Sequence, residues 1–325
     1  MPFNYQKICS DLLQDLSSRQ KDVLLRRFGL AGFQRETLES IGRDFGVTRE
    51  RVRQIEKDSL LKVRPKLKKY QKVTNYFENC LKATGGLRKE TAFLSSLAGE
   101  KYQAEIFFLL TLAESFKHFA ETKDFYSFWA LGQNPFENAK MVIESFYQKI
   151  LEVGRPLNIQ DYKPPLNVSS DIVCYFLEIS KVIQRNSEGF FGLKSWPEIN
   201  PRNIRDKAFL VLKKAGQPLH FREVAAKIEP EALVQTVHNE LIRDPRFVLV
   251  GRGLYALKEW GFKEGYVVDI IKDILSKADA PMTKEEILEE VLKQRFVKES
   301  TVLLNLNNKK YFIKDSFQRY QIKES

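Results

Sequence analysis

The chain is poor in the residues from which reactive centres and covalent frameworks are built. It holds three cysteines, three histidines and three methionines in 325 residues. Cys9, Cys80 and Cys174 lie far apart and form no CxxC pair. That excludes a disulfide framework and a thiolate zinc site, and leaves buried structural thiols as the reading. His118, His220 and His238 have no acidic or cysteine partner at a triad or ligand spacing. A non-enzyme with no cofactor and no metal is therefore expected. "GRG" at 251–253 is too short for a phosphate loop, and Glu285, Glu286, Glu289 and Glu290 read as one solvated helix face. No run nears the roughly 18 apolar residues of a membrane helix. The opening "MPFNYQKICSDLLQDL" has no apolar signal core, so a cytoplasmic protein without membrane contact is expected.

What the chain does have is positive charge, unevenly placed. The formal net charge is +11. Residues 1–75 carry 17 Lys+Arg against 9 Asp+Glu, whereas the following 250 residues carry 36 against 33. A basic segment ahead of a near-neutral body points to one face that meets a polyanion. At 43% apolar content the chain is long enough for several cores.

The basic segment has helical apolar spacing. In "SRQKDVLLRRFGL" Val23, Leu24, Leu25, Phe28 and Leu30 mostly share one face, and Gly29 ends the pattern. "TLESIGRDFG" is a second, shorter helix with Thr37 as N-cap, Ser40 at the box position, and Leu38, Ile41 and Phe45 inward. Gly46 supplies the positive φ of a tight helix-helix turn. Thr48 caps a third helix anchored by Val47, Val52 and Ile55, whose apolar pattern continues until Pro65. Two helices joined by a short glycine turn make a helix-turn-helix. The second presents Arg49, Glu50, Arg53, Gln54 and Lys57 on its outer side. Arg suits guanine, Gln adenine and Glu the cytosine amine in the major groove.

"DVLLRRFGL", "TLESIGRDFG" and above all "TRERVRQIE" closely resemble region 4 of the sigma-70-family initiation factors of bacteria, the primary-sigma type in particular. The resemblance covers about residues 10–70. It implies binding to the −35 promoter element of double-stranded DNA and docking on the β flap of the RNA polymerase core. Position by position it places Arg49, Glu50, Arg53 and Gln54 on bases of a TTGACA-like element, and Arg27, Thr48 and Arg51 on phosphates. Asp58 stands where many members carry Lys beside the backbone; Lys57 is the neighbouring cation. No aromatic-rich helix pair of the region 2 kind follows, so a self-sufficient sigma factor is not expected.

The remaining chain repeats. "DFYSFWAL", "GFFGLKSW", "GLYALKEW" and "DSFQRYQI" line up through Phe128, Leu193, Leu257 and Tyr320, at spacings of 65, 64 and 63. Each follows an apolar-alternating stretch, "KHFAETK", "KVIQRNSE", "RFVLVGR" and "KYFIKD", so strand, tight turn and strand are expected, with Gly251 and Gly253 making one turn. "FYSFWA" reads as wing and core packing, since its counterparts recur at the repeat period. Helical patterns precede each hairpin, such as "NIRDKAFLVLKKAG", "HFREVAAKI" and "PEALVQTVHNELIRD" in the third unit. The expected fold is mainly α with small β-hairpin wings: an N-terminal helix-turn-helix at 1–75, then winged-helix units at 76–133, 134–200, 201–262 and 263–325. The third unit, through "AGQPLHFREVAAKI" and "DPRFVLVGRGLYALKEWG", resembles the HARE-type winged helix of the RNA polymerase delta subunit.

The leading functional expectation is a nucleoid-associated, sequence-specific transcription factor that reads a −35-like element and contacts RNA polymerase. A promoter-binding repressor or architectural protein without polymerase contact, and a DNA-recognition subunit of a multi-chain enzyme, stay open beside it.

Overall fold

A computed structural model describes residues 3–99, 101–228, 232–263, 265–278 and 280–323. Two compact units are present, Met1–Ser195 and Trp196–Ser325.

The first unit opens with α1 (Tyr5–Leu13), α2 (Ser18–Phe28), α3 (Leu38–Asp44) and α4 (Arg49–Val63). Local chemistry sets their ends. The side chains of Asn4, Ser17, Thr37 and Thr48 each accept a backbone N–H from the first turn that follows, which satisfies a donor the helix itself cannot. Gly46 makes the α3–α4 turn at φ +65°, where a Cβ is strained. Pro65 lies just past the end of α4, and a 3-10 stretch, Arg64–Tyr70, follows.

Next come α5 (Gln71–Lys82), β1 (Leu87–Lys89), α6 (Glu90–Ala98), α7 (Gln103–Leu112), β2 (Phe116–Phe119) and β3 (Phe128–Leu131), in an antiparallel sheet ordered β1-β3-β2. This is a full winged-helix order. It continues with α8 (Asn134–Val153), α9 (Ser170–Glu178), β4 (Ile183–Arg185) and β5 (Phe191–Leu193), where only a 3-10 turn, Ile159–Asp161, stands between the two helices.

The second unit repeats the plan twice. α10 (Ile204–Ala215), β6 (Leu219–His220), α11 (Phe221–Ile228), α12 (Val234–Arg243), β7 (Phe247–Gly251) and β8 (Leu254–Leu257) form the first pass. α13 (Val267–Lys277), α14 (Lys284–Gln294), α15 (Glu299–Leu306), β9 (Phe312–Lys314) and β10 (Tyr320–Ile322) form the second. Of the expected stretch 230–244, Pro230 and Glu231 lie outside the described residues. The fold is thus mainly α with small antiparallel wings, a helix-turn-helix leading into winged helices.

Three expectations need correction. The boundary between 75 and 76 falls inside α5. A domain edge cannot sit there, because one hydrophobic core crosses it: Leu24, Phe28, Val63 and Leu67 belong to the same cluster as Phe77, Phe108, Leu109 and Trp129. The turns are mostly not tight. Residues 120–127 separate β2 from β3, and only the third hairpin, through Arg252 and Gly253, has a two-residue turn. In that turn Gly253 alone takes positive φ; Gly251 ends a strand, and a Cβ there would meet the Phe296 carbonyl at 2.9 Å. Finally, the register differs. Leu157 pairs with Phe191, Leu219 with Tyr255 and Met282 with Tyr320, so Tyr320 matches Tyr255 and not Leu257. A slip of two keeps each side chain on its face, which is why apolar pattern alone did not fix it.

In the first two winged helices the third helix is covered. α7 packs on α1 and α2, with Ile106, Phe108, Leu109, Leu110 and Leu112 all fully buried. α9 packs on β1, where a Cβ on Gly85 would lie 2.6 Å from Ile172 and 2.9 Å from Phe176. Neither helix can enter a DNA groove while so packed. In the second unit Arg295 links the two winged helices. It is 7% exposed, and its guanidinium donates to the carbonyls of Leu249, Lys263 and Gly265.

Candidate nucleic-acid interface

α4 is held from behind. Val52 and Ile55 pack with Val23, Leu38 and Ile41, and Phe45 and Val47 close the edge. A Cβ on Gly42 would lie 2.8 Å from the Val47 carbonyl, whose residue returns its N–H to the Gly42 carbonyl at 2.9 Å. Gly42 therefore sets how closely α3 and the turn approach. Beneath the turn, Arg26 forks onto Glu36 through Nε and Nη2 at 2.6 and 2.7 Å and also binds Asp44. Ser40 Oγ donates to Glu36 at 2.8 Å. Hydrogen bonds from Arg26 first, then Ser40, hold the Glu36 carboxyl down at about 2. The pair ties α2, the following loop and α3 into one frame.

The outward side of α4 carries Arg49, Glu50, Arg53, Gln54 and Lys57, all exposed. They are separated from the anchors as a helical period requires. Several already pair with one another. Glu50 takes both Arg53 Nε at 2.8 Å and Nη2 at 2.7 Å, with both side chains more than half exposed, at 58% and 54%. This lowers the Glu50 carboxyl and raises the Arg53 guanidinium, each mainly through the other. Arg51 Nη1 donates to Gln54 Oε1 at 3.2 Å. Part of this face is thus satisfied within the helix, and an outside partner must displace those bonds.

The three residues expected on phosphates divide. Thr48 Oγ1 accepts from Arg51 N at 3.2 Å, so its own O–H remains a donor. Arg51 is exposed beside it. Arg27 is turned inward, to Glu56 Oε1 at 3.4 Å and the Glu36 carbonyl at 3.2 Å. In this arrangement it joins α2 to α4. Of the basic run that follows, Lys66 meets Asp15 at 2.6 Å and Arg64 meets Glu114 at 3.7 Å, while Lys62, Lys68 and Lys69 are exposed.

Sequence reasoning passed over Arg26, Glu36 and Gly42. A glycine inside a helical pattern signals close packing, so Gly42 was findable. The Arg26–Glu36 fork spans a loop and leaves no periodic mark. Elsewhere, among the described residues, no group of three or more His, Cys, Asp and Glu is placed to hold a metal. No helix of the described residues is long and apolar enough to cross a membrane.

A capped helix held on an apolar seam, with an exposed cationic and amide-bearing face, defines a DNA-binding helix-turn-helix. The comparisons make it more particular. The family model for sigma-70, region 4 matches residues 12–65. Over 54 residues the chain is 54% identical to the RNA polymerase sigma factor SigA of Listeria monocytogenes, serovar 1/2a, and to that of Listeria innocua, serovar 6a. Each alignment covers 17% of this chain and 14% of the relative. The chain thus carries a DNA-binding, sigma-like segment of a non-enzymatic kind, and spans about a seventh of the curated relatives it matches.

Proposed function

We propose that the protein is a promoter-binding transcription factor that reads a −35-like element through α4 and acts in contact with the RNA polymerase core, through the β flap. One observation carries the reading: Arg49, Glu50, Arg53, Gln54 and Lys57 share the exposed side of a helix whose other side is locked by Val52 and Ile55, within the segment that matches region 4. Arg53 and Gln54 meet base edges, Glu50 accepts from a cytosine amine, and Thr48, Arg49, Arg51 and Lys57 take base or phosphate according to depth. Arg27 reaches a phosphate only by leaving Glu56. The winged helices serve as the frame and as protein-contact modules, the third being of HARE type. The supporting fact is that α7 and α9, which hold the groove-entering position of the motif, are packed away in the first unit.

The test uses the full chain and two duplexes, one with a TTGACA-like hexamer and one with it scrambled, titrated over a salt series, beside a pull-down of core polymerase. Preference for the hexamer with retention of polymerase is expected. Equal affinity for both duplexes at moderate salt would overturn the base-reading claim, and loss of polymerase alone would leave a promoter-binding repressor.

A further inference from the structure

The first two winged helices meet along β1 and α9, and a cleft of about 460 Å³ opens beside the seam. Its floor is cationic. Arg88 lies over the Tyr175 ring at 4.7 Å and Lys89 over the Tyr126 ring at 3.8 Å. Arg185 contributes a third positive charge. Cations seated on ring faces keep their charge available, because a ring quadrupole attracts without neutralising. Glu178 is the one carboxylate among the described residues that line the cleft. It stands 3.8 Å from Arg88 Nε, beyond hydrogen-bond reach, and burial pushes its carboxyl up. Arg88 Nε and Glu178 Oε2 are both buried without a hydrogen-bond partner. An unmet buried donor of this kind is costly, so the Arg88–Glu178 pair leaves the seam short of a full hydrogen bond.

The hydroxyls of the cleft point the same way. Ser180 Oγ already accepts from the N–H groups of Val182 and Ile183, each at 3.2 Å, so its proton is what it has left to offer. Tyr126 Oη accepts from Gln184 Nε2 at 3.3 Å, with the same consequence. Three cationic side chains and two hydroxyl donors line one space. The complementary ligand carries negative charge and acceptor oxygens, which is a phosphate. The volume lies within the ~300–1,000 Å³ of small-molecule sites.

We propose that this cleft binds the phosphate of a small phosphate ester, about the size of a nucleoside monophosphate, held by Arg88, Lys89 and Arg185 with Ser180 and Tyr126 donating. The site lies apart from α4 and is independent of what that helix reads. Bound there, the ligand would bridge β1 and α9 and tighten the seam between the two winged helices.

Calorimetry and thermal melting of the full-length protein, with inorganic phosphate and with adenosine 5′-monophosphate, test this. Saturable binding and a raised melting temperature are expected with the nucleotide, and weaker binding with phosphate. Arg88→Gln and Lys89→Gln should each weaken nucleotide binding about tenfold, by loss of a charge-assisted contact. Lys89→Gln separates binding from folding, since its partner is a ring face; its unliganded melting temperature should stay near that of the parent. Absence of saturable binding by both probes, or unchanged affinity in Lys89→Gln, would overturn the proposal. So would variants that lose affinity for a scrambled duplex while no nucleotide binds, since the cleft would then belong to the DNA backbone.

Discussion

Phe28 and Phe108 meet edge to ring, with centroids 5.1 Å apart and planes at 67°. Phe28 closes α2, the helix that precedes the helix-turn-helix, and Phe108 is the buried centre of α7 in the first winged helix. The sigma-like segment is therefore seated on its neighbour through a shared core. Each ring removes a large apolar surface from water, and edge-to-face contact adds to that.

Cutting that contact should unsettle the reader as well as the frame. Phe108→Ala is expected to cost the first unit about 3–5 kcal/mol, in the range of buried aromatic truncations. Phe28→Ala should cost a similar amount, and the pair should fall short of additivity because they touch. Denaturant unfolding of residues 1–195 would measure this. By the same argument a 10–72 fragment, stripped of α7, should bind the hexamer duplex more weakly than 1–195. Equal stability and equal DNA affinity in the two fragments would show the shared core to be dispensable.

Glu50 and Arg53 are paired across one helical turn, so their substitutions should differ in kind. Glu50→Ala frees Arg53 and removes an anion from the interface. Affinity for scrambled duplex should rise, and the slope of log K against log salt should steepen by roughly 0.9, about one phosphate contact. Gln54→Ala should instead relax the preferred hexamer by ~1–3 kcal/mol of discrimination, the worth of a bidentate base contact. Binding-site selection with each variant is the measurement. An unaltered preference in Gln54→Ala would remove α4 as the reading helix.

Gly42 has no room for a methyl group, since a Cβ would sit 2.8 Å from the Val47 carbonyl. Gly42→Ala must push α4 away from α3, at about 1–3 kcal/mol for overpacking. Hexamer affinity should drop more than scrambled-duplex affinity, because base contacts depend on how the helix is presented. A melting temperature and preference equal to the parent's would show that the turn can yield.

The helix-turn-helix was legible because its signals are local. Thr37, Gly46, Thr48 and the Val47–Val52–Ile55 spacing each specify a cap, a turn or a face within a few residues. The frame was less legible. The first winged helix has a complete three-stranded sheet, but its β1 is three residues long and too short to show alternation. α7, "QAEIFFLLTL", is apolar on nearly all sides; that pattern states burial but not by what. Arg27 illustrates the limit at the site itself. The region 4 resemblance implies a phosphate contact for it, but its direction is decided by the Glu36 carbonyl and Glu56, which lie beyond its own helix.

Acid should loosen the reader's frame through Glu36. Its carboxyl lies at about 2 in the folded protein, against an ordinary 4.5. A depressed folded value adds stability that is complete above the ordinary value and is lost as pH falls toward the folded one. The Arg26–Glu36 contribution should therefore be constant above about pH 5 and disappear below it, over roughly two and a half units. Glu36→Gln should lower the melting temperature at neutral pH and flatten that acid limb. Parallel curves for parent and variant between pH 5 and the acid end would assign the acid sensitivity to other carboxylates.

The last prediction concerns the second unit. Residues 196–325 carry 23 Lys+Arg against 19 Asp+Glu, so few net cations are there to release counterions from DNA. Among exposed polar residues, its motif helices and wings also bare large apolar side chains. Leu304 on α15 is 76% exposed and Phe317, between β9 and β10, is 74% exposed; Leu233 and Ile242 flank and close α12 at 73% and 62%. Large apolar side chains bared at the helix and wing positions suit a protein surface better than a phosphate backbone. With the polymerase contact proposed above as the occupant, a 196–325 fragment should retain core polymerase and bind duplex only weakly at physiological salt. Leu304→Ser and Phe317→Ser together should abolish retention while the melting temperature holds, because neither side chain is in the core. For the α12 face, Ile242→Ser should act alone if that winged helix is the one engaged. Duplex affinity equal to that of 1–195, with no polymerase retained, would move the second unit to the DNA side.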